Sequence, residues 1–245
     1  MPDLLHYAKA PITEATIDLR VTLPDGVKIE QLAELQQALQ ESFPESQKIY
    51  VSELSFQFGD EPQAENQQQH TGFRLISEDK KQIVQIRTDG FAFSILNPYD
   101  SWEPFCSQAR SLWDLYRKAM KPTQIGRVAV RYINRLDILD EEVELKDFLR
   151  TFPELSPDLP QVLLGYFMQL VIPQNTINGV AVINQTIIPP AQPHTTSVLL
   201  DIEVFCEKEL PTDEDAIWAL FEQLRNSKNT IFQACLTQRA EALIS

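Results

Sequence analysis

Two short runs, Leu112-Trp113-x-Leu115-Tyr116 and Ile217-Trp218-x-Leu220-Phe221, carry one apolar pattern at helical spacing, one in each half of the chain. Self-similarity of this kind constrains a fold more than any local propensity, because a duplicated unit sets the element order of both copies. Reading back from each run gives one order: strand, helix, several antiparallel strands, long helix. The expectation is an α+β fold, a tandem pseudo-repeat of a β-α-(β-meander)-α unit with antiparallel sheets backed by long helices. The repeats are placed at 1–122 and 123–245, joined as one integrated domain.

Local patterns supply the elements. Ala15, Ile17, Leu19, Val21 and Leu23 alternate with Thr16, Asp18, Arg20 and Thr22, the period of a strand buried on one face. Pro24-Asp25-Gly26 ends it as a turn. Leu32, Leu35, Leu39 and Phe43 recur at helical spacing over 29–43, and Pro44 stops the run. Strands are predicted over 49–58, 72–77, 82–88 and 91–96, with 60–70 a polar, Gln-rich connection. The last two strands join at Asp89-Gly90, a dipeptide that tolerates positive φ. A helix is predicted from Ser101 to near Pro122, burying Phe105, Ala109, Leu112, Trp113 and Tyr116.

In the second half the spacing predicts a long strand over 126–138 and a helix over 145–152 after the acidic run 140–144. Strands follow over 162–172, 180–188 and 197–207. Thr212-Asp-Glu-Asp215 reads as an N-cap at Thr212 with a carboxylate three residues on, stabilising the exposed amides of a final helix running towards Leu243. Arg225-Asn-Ser-Lys-Asn229 reads as an exposed, solvated patch where that helix bends or breaks. This order of elements resembles helix-grip and TATA-binding-protein-like arrangements.

Composition narrows the function classes. The formal charge is −14, and an acidic surface repels phosphate backbones and anionic membranes, so direct nucleic-acid binding and membrane association are disfavoured. Acidity suits solubility, or docking to a basic protein. Cys106, Cys206 and Cys235 are odd in number, far apart and without a C-x-x-C spacing, which argues for a reducing cytoplasm over a disulfide framework or zinc site. Met1-Pro-Asp-Leu-Leu-His6 lacks the pattern of a secretory leader, and no apolar run is long enough to span a bilayer. A cytoplasmic protein is expected.

Chemistry-bearing motifs are scarce. Seven glycines form no phosphate-binding loop, and no H-E-x-x-H is present. His6, His70 and His194 lie apart from any nucleophile pattern. No catalytic residue, metal site or cofactor is assigned. One constellation stands out: Arg127, Arg131 and Arg135 are spaced by four, so a regular strand projects all three to one face. Guanidinium groups grip carboxylates or phosphates bidentately, so the row is a candidate site for an anionic ligand or an acidic segment of a partner. Cross-strand pairing with Asp18, Glu53 or Asp201 is the structural alternative. Trp102, Trp113 and Trp218 fit apolar faces as core residues.

Pro11-Ile12-Thr13-Glu14-Ala15 resembles the opening element of a sporadically distributed prokaryotic family of uncharacterised proteins. Arg127-Val-Ala-Val-Arg131-Tyr132-Ile-Asn134 is similar to its central R-x-x-x-R-Y-x-N strand, and the closing helix with Ile231-Phe232 and Leu236-Thr237 looks like its C-terminal signature. A departure lies at Asn226-Ser-Lys228, where the family pattern implies a histidine. The resemblance implies no activity, cofactor or catalytic residue. It implies structural roles for Pro11, Glu14, Tyr132 and Asn134, with Glu14 meeting an arginine of the other half. Patchy distribution is the habit of defence-associated genes.

These readings converge on a non-catalytic cytoplasmic protein that binds a macromolecular partner, encoded by a neighbouring gene, as a neutralising or regulatory component of a defence or toxin–antitoxin-like system. The alternative is a small-molecule binder or enzyme that holds an anionic ligand in a pocket between sheet and helix.

Overall fold

Strand alternation organises the largest share of this chain. The computed structural model describes residues 7, 9–57, 63–139, 143–161 and 163–245. In chain order the elements are β1 (Ile12–Thr22), α1 (Ile29–Ala38), β2 (Glu45–Gln57), β3 (Gln63–Ile76), β4 (Gln82–Arg87), β5 (Gly90–Leu96), α2 (Trp102–Met120) and β6 (Gln124–Ile138). They continue with β7 (Phe167–Gln174), β8 (Gly179–Ile188), β9 (Thr196–Cys206), α3 (Glu214–Cys235) and α4 (Gln238–Ile244). The nine strands hydrogen-bond into one open antiparallel sheet in the order β2-β3-β4-β5-β1-β6-β9-β8-β7.

The expected tandem β-α-(β-meander)-α repeat, with its helix-grip or TATA-binding-protein-like topology, is overturned by that sheet. A single sheet replaces the expected two, and at 29% helix against 40% strand the helices are too few to back a pair of them. The second copy's first helix is also absent: only a 3₁₀ turn forms at Leu145–Asp147, and Leu149 bridges to Leu236 instead. An eight-residue stretch closed by Pro153 is too short to propagate a helix beyond its costly first turn. Leu145, Phe148 and Leu149 are nevertheless buried. The two Trp-containing runs agree for a simpler reason. Any amphipathic helix on a sheet sets aromatic residues three apart on one stripe. Trp113–Tyr116 and Trp218–Phe221 accordingly pair at 5.5 and 5.1 Å between ring centroids.

Two further expectations change. The Gln-rich connection is strand from Gln63 onward, paired in register with β2 along its length apart from a shift at Ile49/Tyr50. Residues 58–62, between β2 and β3, lie outside those described, as do most of the acidic run 140–144 and His6. The strand expected from 162 begins at Phe167.

The chain divides into two compact units. One holds Asp18–Ile95 and Ser101–Gly126. There α1 packs on β3, β4 and α2, burying Leu32 and Leu35. Helix α2 buries Trp102, Phe105, Ala109, Leu112, Trp113, Tyr116 and Met120, and rings of β5 meet this stripe in the pairs Phe91–Trp113 and Phe93–Phe105. The β4–β5 hairpin pairs Arg87 with Gly90. Gly90 has φ +158°, and a Cβ there would lie 2.2 Å from the Leu19 carbonyl oxygen, so no other residue fits. Asp18 accepts from Arg87 at 2.7 Å, and Asp89 binds both Arg20 and Arg87.

The other unit holds Met1–Ile17, Leu96–Asp100 and Arg127–Ser245. Helix α3 packs on β9. Val198, Leu200, Ile202 and Val204 of β9 are buried with Ala181 and Ile183 of β8. The cap expected at Thr212 falls one residue later: Asp213 caps α3 by accepting from the Ala216 amide at 2.9 Å. The break expected at 226–229 falls later: α3 runs unbroken to Cys235, Leu236 turns extended, and Thr237 caps α4.

Candidate functional site

Alternation along β6 sorts the sequence-derived residues onto opposite faces. Val128, Val130, Tyr132, Asn134 and Leu136 are buried on the face that α3 covers, whereas Arg127, Arg131 and Arg135 share the face turned away from it. Register carries the second face across three more strands. Arg131 stands opposite Glu203 and Ile133 opposite Asp201 on β9, Asp201 opposite Asn184 on β8, and Asn184 opposite Gln169 on β7.

The side chains complete a transverse polar line over those four strands. Arg131 donates to both carboxylate oxygens of Asp201, Nε at 2.8 Å and Nη2 at 2.7 Å. Asn184 donates to the same carboxylate at 3.1 Å, and Gln169 donates to Asn184 Oδ1 at 2.8 Å. Asp201 is 5% exposed at its side chain and Arg131 48%, so the carboxylate is the buried member and the guanidinium its access to water. The bond to Asp201 raises the Arg131 pKa above its usual value, with Glu203 and Glu14 adding to the effect.

The other two arginines are also engaged. Arg127 pairs with Glu203 at 2.9 Å and Glu207 at 3.2 Å, its guanidinium 4.1 Å above the Phe205 ring. Arg135 donates to Asp137 at 2.9 Å, to the Pro189 carbonyl at 3.1 Å and to Ser197 at 3.1 Å. Of the carboxylates named beforehand, Asp201 meets Arg131, while Asp18 pairs with Arg87 in the other unit; the side chain of Glu53 lies outside the description.

The family-like positions split between the faces. Pro11 accepts from the Arg135 amide at 2.8 Å. Glu14 accepts from Thr16 at 3.1 Å and acts on Arg131 through its charge. Asn134 donates to the carbonyls of Tyr132 at 3.3 Å and Leu200 at 3.0 Å, tying β6 to β9 from the covered side. Tyr132 shares a 3.2 Å hydrogen bond with the Tyr99 hydroxyl.

Lys228 is the residue that sequence reasoning placed wrongly. The expected solvated patch at 225–229 is half-buried to buried. Lys228 is 6% exposed, its Nζ 3.7 Å from the Tyr132 ring centroid. Burial pushes its pKa down to about 7, with Arg225 contributing. Ser227 is tied to Gln174 at 3.0 Å. Spacing held a signal: Lys228 follows Leu224 by four and precedes Phe232 by four, both on the buried stripe.

Among the described residues no group of three His, Cys, Asp or Glu is arranged to hold a metal ion, and no helix is long and apolar enough to cross a membrane. A cleft of about 340 Å³ lies by Cys206, Lys208, Glu209 and Leu220, and none of Arg127, Arg131 and Arg135 lines it. No known protein family and no curated protein matches the chain.

Proposed function

We propose that this chain is a non-catalytic cytoplasmic protein that docks a basic, partly apolar protein surface on the face of β6, β9, β8 and β7 turned away from α3. Its role there is that of a neutralising or regulatory partner, of the kind found in defence and toxin–antitoxin-like pairs. The observation that carries this reading is the line Gln169–Asn184–Asp201–Arg131, in which each polar group orients the next. A surface ordered before it meets a partner loses less entropy on binding.

Charge and apolar area support the same reading. Arg127, Arg131 and Arg135 stand against Glu14, Asp137, Asp201, Glu203 and Glu207, so carboxylates outnumber guanidinium groups, in keeping with the charge of −14. Such a face attracts basic groups and speeds encounter with them. Phe167 and Val171 are exposed beside half-buried Val182 and Leu199, which supplies the apolar part of an interface. An anionic ligand is served less well, because it has to displace Asp201 from a bidentate pair. Three free cysteines suit a reducing compartment.

Co-expression with the products of neighbouring genes tests the proposal. The expected result is a stoichiometric complex with a basic protein that dissolves as salt is raised; recovery of the chain without any such partner contradicts it.

A further inference from the structure

The two edge strands of the sheet are built differently. Strand β2 ends one side and β7 the other. A sheet edge presents unpaired N–H and C=O groups, and proteins blunt such edges with charged side chains and bulges. Strand β2 has both devices: Glu45 and Lys48 in its sequence, and a register shift at Ile49/Tyr50. Strand β7 has neither. It pairs with β8 in unbroken register from Phe167 to Gln174, and its sequence, FMQLVIPQ, holds no charge.

This lack of charge extends well beyond the strand. From Leu159 to Leu200, 42 consecutive residues include no Asp, Glu, Lys or Arg, in a chain that is otherwise rich in them and carries −14 overall. Apolar groups along β7 are open: Phe167 is 70% and Val171 63% exposed, and Leu164, just before the strand, 94%. Isolated exposed apolar residues are ordinary, but a run of them on an edge strand without charge or bulge marks a contact.

We infer that two copies of this chain pair edge to edge through β7. Charge selects the occupant. A copy carrying −14 repels its twin wherever acidic surfaces meet, and the β7–β8 hairpin is where two copies approach without opposing like charges. A charged partner gains nothing from an edge with no charge to complement. Antiparallel pairing about a two-fold axis normal to the sheet is self-complementary and closed, so it stops at the dimer. Pro173 has no N–H to give, which confines the ladder to Phe167–Ile172. The same axis keeps Phe167, Gln169 and Val171 of both copies on one face. This pairing needs no other protein and stands independently of the docking proposed above.

Sedimentation equilibrium on the purified chain, from about 1 µM to about 300 µM, tests it; pairing at micromolar affinity spans that range. The expected result is a mass that doubles with concentration in the wild type and stays single for Val171→Lys, with at least a ten-fold loss of affinity. Amide hydrogen exchange gives a readout that needs no variant: protection over Phe167–Ile172 should rise with concentration and that over β2 should not. A wild type that remains monomeric throughout, or a dimer with unchanged exchange along β7, overturns the inference.

Discussion

The Lys228 ammonium lies over the ring of Tyr132, 3.7 Å from its centroid and almost sealed from water. A Tyr face offsets part of the cost of burying a cation, about 2 kcal/mol when desolvated, and no carboxylate is paired with it among the described salt bridges. The burden of this lysine therefore falls on stability, and it depends on pH.

Between pH 7 and the ordinary lysine range, the unfolded chain holds a proton that the folded chain releases, because burial has lowered the folded pKa to about 7. Stability gained from this residue therefore rises with pH across that window, and its full cost is present below pH 7. Lys228→Met keeps the length and removes the charge. It should raise stability at pH 7 by roughly 2–4 kcal/mol and flatten the slope between pH 7 and 8.5. Urea denaturation of both proteins at several pH values checks this.

Asp201 and Arg131 should respond unequally to replacement. Arg131→Ala leaves a carboxylate with 5% exposure that keeps its bond from Asn184 but loses its cation, whereas Asp201→Asn leaves a half-exposed guanidinium that water reaches. The first should cost about 2–4 kcal/mol and the second about 1 kcal/mol. Denaturant midpoints compare them directly. Arg131→Ala is accordingly a poor probe of binding, since its loss disturbs the sheet.

Gly90→Ala should destabilise by at least about 2 kcal/mol, since it combines an unfavourable φ with a Cβ driven against the Leu19 carbonyl. Thermal unfolding by circular dichroism reads the loss.

Local periodicity revealed much of this architecture, and pairing over distance stayed hidden. The alternation at Ala15, Ile17 and Leu19, the α2 stripe and the common face of Arg127, Arg131 and Arg135 all follow from spacing alone. Period two says which side chains share a face and is silent on which strand lies alongside, so spacing alone does not distinguish one sheet from two. Asn184 and Gln169 could not be joined to Asp201 for the same reason: their link exists only through the β7–β8–β9 register. Lys228 was misplaced because Asn226-Ser-Lys228-Asn229 is polar in composition, although its position on the helical stripe faces inward.

Affinity for the basic partner, measured for the wild type and for Glu203→Lys, probes the docking face most directly. Glu203 sits opposite Val182 and Arg131, its charge shared with Arg127, and Glu207 remains to hold that arginine in the variant. The expected result is binding weakened at least about ten-fold, about 1.4 kcal/mol, beside a loss of stability of no more than about 1 kcal/mol from the cations then opposed on β6 and β9. Equal affinity of the two proteins, at low salt and at high, would contradict docking on this face.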